Sequence, residues 1–271
     1  MSQTFMNWEL HVIDNHSTDD TIDLVHSFND PRIHLHTIAN EGIIARSRNL
    51  GIQHSTGKYI AFLDSDDRWY EDKLLLSVNS LDQGADVVCH GELWIGGDLP
   101  SRRVMYGPSK SASTQKLIHR GNCLSTSAVT MRHSLLTALS GFREDPRFTT
   151  AEDYDLWIRS AKLGATIIFI PTILGEFRRS AISASSDIER NVLAEIAVCD
   201  DHLNGMAPGL THFMKKRQRH ARAWYGAGRS FATRGNSQSA WRAYGRAISL
   251  SPFIFRLLPA MMLLALRQVR R

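Results

Sequence analysis

Residues Gly57 to Asp67 read GKYIAFLDSDD, an order of side chains that few architectures accommodate. Tyr59 to Leu63 is a short apolar run with aromatic and branched members, which predicts a buried central strand. Asp64, Asp66 and Asp67 stand directly beyond it. Carboxylates crowded at a strand end repel one another unless a cation or hydrogen-bond donors occupy the gap. Ligands of open α/β sheets bind outside the carboxyl ends of the strands. A plainer reading gives Asp67 to a helix cap and Asp64 to a turn. That accounts for one or two of the aspartates; a metal or nucleotide site accounts for all three.

The rest of the chain repeats the strand-then-helix pattern around this stretch. Glu9 to Asp14 is a strand ending at Asp14-Asn15, with Ser17 or Thr18 as N-cap of a helix toward Phe28. Ile33 to Thr37 is a second strand, and Ile43 to Gln53 a helix carrying Arg46, Arg48 and Asn49. After the central strand, a helix places Leu74, Leu75, Val78 and Leu81 on one apolar face. Asp86 to His90 and Ser127 to Met131 are strands, Gly96 to Gly121 a variable loop. Ala151 to Leu163 is a helix, Thr166 to Ile170 a strand, and everything beyond about Asp187 is helical. Such alternation implies an α/β fold with a mostly parallel sheet covered on both faces.

Composition narrows the partners. The 271 residues are 43% hydrophobic and 22% charged, as in an ordinary globular chain. A net charge of +5 and a pI near 9.3 favour anionic partners. No zinc-finger spacing or aromatic ribonucleoprotein signature is present, so nucleic acid is not an expected partner. Cys89, Cys123 and Cys199 are odd in number and far apart, which argues for a reducing compartment. The opening MSQTFMNWEL has neither basic nor apolar signal regions, and no stretch reaches the ~20 apolar residues of a membrane-spanning helix. A cytoplasmic location follows, with the inner-membrane face as a peripheral alternative. The twelve histidines show no metal-ligand spacing and read as scattered surface or loop residues.

Five motifs in order resemble the family 2 glycosyltransferases, which have the GT-A fold. They are QTFMNWELHVIDNHSTDDT, Ser47-Arg48-Asn49 with Gly51-Ile52, GKYIAFLDSDDRW, SGFRE at Ser140 to Glu144 before AED at Ala151 to Asp153, and FRRSAISAS at Phe177 to Ser185. The resemblance covers residues 1 to about 186. It implies that Asp14 and Asn15 face the base and ribose of a nucleotide sugar, a UDP-sugar in the first place, with Arg48 as a cationic contact. It implies that Asp64 touches the ribose or the metal's water shell, and that Asp66 ligates Mg²⁺ or Mn²⁺ on the diphosphate. Asp153 becomes the general base for the acceptor hydroxyl of a glycan or lipid-linked acceptor, with inversion at the anomeric carbon. Each has a plainer rival: Glu152 and Asp153 suit any helix start, Arg48 suits a solvated helix face, and Trp157 lines an acceptor pocket or packs in the core.

Against the family pattern, the sequence opens inside a helix, so a first strand and most of that helix are expected to be missing. Asn15 stands for a usual aspartate and Ser180 for a frequent histidine. Two domains are expected: 1–186, the GT-A domain, and 187–271, a helical appendage. In the appendage, Trp224, Ala227-Gly228, Phe231, Ala240, Tyr244, Ala247 and Pro252 match the spacing of one tetratricopeptide unit. The tail Ala260 to Leu266, followed by Arg267, Arg270 and Arg271, either lies at an anionic membrane surface or packs into the hairpin. A nucleotidyltransferase and a non-catalytic scaffold fragment are the rival functions.

Overall fold

The computed structural model describes residues 1–97, 100–179, 187–204, 209–252 and 257–269, without the side chains of 266–269. Ser180 and the rest of the FRRSAISAS motif beyond Arg179 lie outside the described residues. The chain divides into two compact units, Met1–Thr114 with Cys123–Ser183, and Gln115–Asn122 with Ala184–Arg271.

In the first unit, β1 (Leu10–Asp14) and β2 (Ile33–Thr37) pair in parallel, His11 opposite His34 and Asp14 opposite Thr37. A second sheet has the order β3 (Tyr59–Ala61), β7 (Val129–Arg132), β5 (Val87–Ile95), β8 (Ile167–Arg178) and β4 (Arg68–Trp69), with β6 (Arg102–Val104) also on β5. Among the described residues β1 and β3 share no ladder. The α/β fold class holds, but the sheet is mixed rather than mostly parallel. Only β1–β2 and β5–β8 are parallel; β3–β7, β5–β7, β5–β6 and β4–β8 are antiparallel. Short connections explain part of the difference. β5 turns back into β6 without a crossover helix, and a connection of that length permits only an antiparallel neighbour.

Helices α1 (Thr21–Ser27), α2 (Ile44–His54), α3 (Lys73–Asp82), α5 (His133–Ala138) and α6 (Glu152–Lys162) accompany these strands. The stretch read as one loop, Gly96 to Gly121, holds β6, a 3₁₀ turn at Ser109–Ala112 and α4 (Thr114–Arg120). The phase of α3 also differs from expectation. Its buried positions are Lys73, Ser77 and Leu81, spaced by four, while Leu74, Leu75 and Val78 are half-buried. Lys73 turns inward because its amine has two partners there: it donates to Thr130 Oγ1 at 2.7 Å and lies 3.8 Å from the Trp69 ring. Trp157 is fully buried, so it belongs to the core and not to an acceptor pocket. Cys89 and Cys199 are likewise buried packing residues.

The second unit contains α7 (Ile188–Leu203), α8 (Leu210–Thr233), α9 (Ser237–Leu250) and α10 (Leu257–Val269). Asp187 caps α7 by accepting from Arg190 N, and Asn236 caps α9 by accepting from Ser239 N. The tetratricopeptide-like spacing becomes a helical hairpin of α8 and α9. Trp224, Ala227, Ala240, Tyr244 and Ala247 are buried in one cluster with Leu257 and Leu264 of α10. Gly228 is required at the crossing, since a Cβ there would overlap the Tyr244 ring. α10 therefore packs on the hairpin through one face and leaves Leu258, Met262 and Leu263 exposed on another.

Candidate active site

Two of the sequence motifs meet through α2. Asn49 reaches across to the SGFRE turn, donating to Phe142 O at 2.9 Å and to Glu144 Oε1 at 2.8 Å while accepting from Phe142 N at 2.8 Å. Gly141 sits at φ +68°, and a Cβ on it would lie 2.5 Å from Asn49 Oδ1. An amide on one side and a bare glycine on the other are thus mutually required. One residue earlier, Arg48 donates to Asp64 Oδ1 at 2.8 Å and makes a short ion pair with Glu152. Arg48 and Glu152 are both buried, Asp64 more exposed. Burial opposes the guanidinium charge, yet Asp64, Glu152 and Asp153 together hold the Arg48 pKa well above its ordinary value. Arg48 is therefore not the solvated helix residue of the plainer reading but a largely buried cation facing three acids.

Asp153 opens α6 beside Glu152. Its carboxylate accepts from Thr126 Oγ1 at 2.9 Å and from Tyr154 N at 2.6 Å. Burial raises its pKa to about 6 and the Glu152 charge adds to the rise, while Arg48 and these donors oppose it. The backbone leading in is strained: Thr150 has φ +81°, which a β-branched side chain disfavours. Glu152 Oε2 holds that turn by accepting from Thr150 N at 2.8 Å.

The segment Ser125-Thr126-Ser127 carries no motif of its own, and sequence reasoning passed over it. Ser125 Oγ donates to Glu92 Oε1 at 3.0 Å, Thr126 Oγ1 to Asp153, and Ser127 Oγ accepts from Asp64 N at 3.1 Å. Three consecutive hydroxyls thus address three acid-bearing segments. Their one legible signal is the run of hydroxyls immediately before a buried strand.

The acidic stretch is arranged as its order suggests, with Asp66 exposed and Asp64 and Asp67 half-buried. Asp67 Oδ1 accepts from Arg178 N at 2.8 Å, so Asp67 is not the helix cap of the plainer reading. Its Oδ2 is buried without a hydrogen-bond partner. Burial pushes its pKa up to about 7, and the charges of Asp66 and Asp64 add to the rise. A divalent cation suits this set, since it would satisfy the orphaned oxygen and offset the mutual repulsion. Among the described residues no three His, Cys, Asp or Glu side chains converge as a ready-made metal cage. Such a sparse set fits Mg²⁺ or Mn²⁺ held mainly by substrate phosphate and water.

Asp14 and Asn15 lie at the end of β1, away from these hydrogen bonds. Both Asp14 oxygens accept from Ser17 N at 3.2 Å, and Asn15 Oδ1 accepts from Asn40 N at 2.9 Å. The amide oxygen thought to meet a base therefore joins two loops. The histidines also depart from expectation. His11, His34, His36 and His54 form a stack, with ring centroids 4.1 Å apart for His36–His54 and 5.0 Å for His11–His34.

The family model described as "Glycosyl transferase family 2" matches residues 1–136. Over 189 residues the chain is 31% identical to the Escherichia coli UDP-Glc:alpha-D-GlcNAc-diphosphoundecaprenol beta-1,3-glucosyltransferase WfgD, covering 69% of this chain and 72% of that protein. The structure of S. aureus TarS 1-349 in complex with UDP-GlcNAc matches with a TM-score of 0.63 at 20% identity, covering 92% of this chain and 74% of that one. The mannosyltransferase PcManGT from Pyrobaculum calidifontis, in complex with GDP-Man and Mn²⁺, matches with a TM-score of 0.58 at 17% identity, covering 99% and 73%. The structures speak to the fold, and the sequence matches to ancestry. Read with the motif contacts that tie Arg48 and Asn49 to both acidic segments, they make this chain a member of glycosyl transferase family 2, an enzyme of the GT-A fold.

Proposed function

We propose that the chain transfers a sugar from a nucleoside-diphosphate donor, a UDP-sugar first, to an acceptor hydroxyl with inversion, in the synthesis of a cell-surface polysaccharide or glycan. The observation that carries this reading is Asp153. It is a carboxylate with a pKa near 6, linked through Arg48 to the acidic strand end at Asp64. A general base performs best when its pKa lies near the working pH. The acceptor hydroxyl gives its proton to Asp153 as its oxygen bonds to the anomeric carbon. The bond from that carbon to the diphosphate oxygen breaks, and its electron pair leaves with the nucleoside diphosphate. Arg48 holds Asp64 and Glu152 in place by ion pairs, and Asp14 and Asn15 shape the loop for base and ribose. Mg²⁺ or Mn²⁺, held at Asp66 with Asp67 beside it, would supply charge neutralisation for the diphosphate. The acceptor in WfgD's name supports a lipid-linked diphosphate sugar as the acceptor class here.

The test is Asp153→Asn, an isostere without a base. It should abolish transfer and leave UDP binding intact; undiminished turnover would remove Asp153 from the chemistry. Release of pyrophosphate in place of nucleoside diphosphate by the unaltered protein would instead select a nucleotidyltransferase.

The same reading brings the appendage to an anionic membrane face. No helix among the described residues is long and apolar enough to cross a membrane. Residues 187–271 carry 14 Lys and Arg against 5 Asp and Glu, whereas residues 1–186 carry 18 against 22. With Leu258, Met262 and Leu263 exposed on α10, an apolar strip accompanies that positive charge. Sedimentation with vesicles containing phosphatidylglycerol, and not with neutral ones, is the expected result; equal behaviour with both would refute it.

A further inference from the structure

Thr126 stands out among the hydroxyls of the 125–127 turn because it points its proton at the one acid assigned to chemistry. Its Oγ1 donates to Asp153 Oδ2 at 2.9 Å, and Tyr154 N donates to Oδ1. Each carboxylate oxygen thereby has a directed donor from the protein, a side-chain hydroxyl on one and a backbone N–H on the other. The turn itself has little freedom. On one side Ser125 Oγ donates to Glu92 Oε1, and Glu92 Oε2 in turn accepts from Tyr106 Oη at 2.6 Å and Trp94 Nε1 at 3.3 Å. On the other side Ser127 Oγ accepts from Asp64 N, and Ser127 O accepts from Trp69 Nε1 at 2.7 Å. Three hydrogen bonds therefore hold the turn from which the Thr126 hydroxyl projects, and two more hold Glu92, to which it is tied.

Resting on the proposed role of Asp153, we infer that Thr126 is a positioning residue for the base. Its hydroxyl, aimed by a turn pinned at Glu92 and Asp64, sets the direction of the Asp153 carboxylate and keeps it ionised at neutral pH. The physical reason is the sense of the bond. A hydroxyl donated to a carboxylate favours the ionised form, against burial and the Glu152 charge, which favour the protonated one. The charged groups facing Asp153 are Glu152 on its own helix and Arg48 on α2, with Asp64 on the far side of Arg48. Arg48 acts on Asp153 through its charge, whereas Thr126 Oγ1 and Tyr154 N give it directed hydrogen bonds, and of these two the Thr126 hydroxyl is the one a substitution can remove.

The test is Thr126→Val, which keeps the shape and removes the donor, paired with Thr126→Ser, which restores it. Transfer is measured as nucleoside diphosphate released across pH 5 to 9, and UDP binding by titration calorimetry. In the valine variant the acid limb of kcat should move up by about one pH unit, kcat should fall several-fold at pH 7, and UDP affinity should stay unchanged. The serine variant should recover most of both. An acid limb that does not move in the valine variant, while Asp153→Asn remains inactive, overturns the role of Thr126 and leaves the base intact. If Asp153→Asn is itself active, the reading on which this inference rests fails instead. Loss of UDP binding together with activity in the valine variant would mark Thr126 as merely structural and likewise overturn the inference.

Discussion

Arg48 stands between Asp64, just beyond β3, and Glu152, the residue before the candidate base, and binds both; among the described residues β3 lies at the edge of its sheet and not at the centre its apolar run predicts. The fold thus uses one guanidinium to join the acidic stretch after β3 to the start of α6, 88 residues apart in sequence. Arg48→Lys keeps the charge but offers a single point where two forks are needed. Arg48→Met leaves Glu152 buried without its cation, a defect that typically costs about 3–5 kcal/mol. The expected order of melting temperatures is wild type, Lys, Met. The acid limb of activity should also rise in the Met variant and change less in the Lys variant, because it is the charge of Arg48 that lowers the Asp153 pKa. Equal melting temperatures for wild type and Met would show that the ion pairs contribute nothing.

Gly141 is the counterpart of Asn49. Its φ of +68° disfavours any L side chain, and a Cβ would press on the Asn49 amide oxygen. Gly141→Ala should therefore destabilise the unit by about 2 kcal/mol, read as a shift in urea midpoint. Asn49→Ala should cost more, since it strips partners from both Phe142 backbone groups. In the double variant the alanine at 49 relieves the overlap, so the two losses should sum to less than their parts.

How legible all this is in the sequence depends on the range of the interaction. Strand positions and the acidic cluster follow from local alternation and order, and Arg48, Asp64 and Asp153 could be singled out because each sits in a recurring motif. Sheet direction could not, because β5–β6 and β5–β7 are decided by connection length and tertiary pairing. The phase of α3 was misread for a related reason. Lys73 looks like a solvent residue until Trp69 and Thr130 are known to lie beneath it. Ser125, Thr126 and Ser127 have no distinctive spacing, and their partners are far off in sequence at Glu92, Asp153 and Asp64. The four stacked histidines come from β1, β2 and α2, so no spacing rule could have joined them.

That stack makes stability depend on pH. Burial, followed by the charges of His54, His11 and His34, lowers the His36 pKa from its ordinary value of 6.5. His11 Nδ1 lies 3.0 Å from His36 Nε2, which requires at least one of the pair to be neutral. Glu9, 3.4 Å from His11, is the nearby carboxylate, and it already accepts from Thr56 and Gly57. Below pH 6.5 the unfolded chain binds protons that the folded stack resists, so stability is full above that pH and declines as pH falls below it. Urea midpoints should drop between pH 7.5 and 5.5, and His36→Gln should flatten part of the decline. A variant with the same slope as wild type would detach the stack from the effect.

Lys73 gives the opposite end of the pH scale. It is fully buried, and burial lowers its pKa well below the model-compound value of 10.5. The folded protein therefore holds fewer protons here than the unfolded chain, and stability should rise as pH increases toward 10.5. Lys73→Met removes this contribution while filling a similar volume. It leaves Thr130 Oγ1 without its donor, at a cost of about 1–3 kcal/mol, but spares the loss of the lysine's proton and hydration on burial, which costs several kcal/mol. The methionine variant should thus match or exceed the wild type in urea midpoint at pH 7. Its advantage should shrink by pH 9.5, where the unfolded wild-type lysine is closer to neutrality and less desolvation is at stake. A wild-type protein that outlasts the variant at pH 7 by more than the Thr130 term would mean that the Lys73 ammonium is charged in the fold and stabilised there by the Trp69 ring.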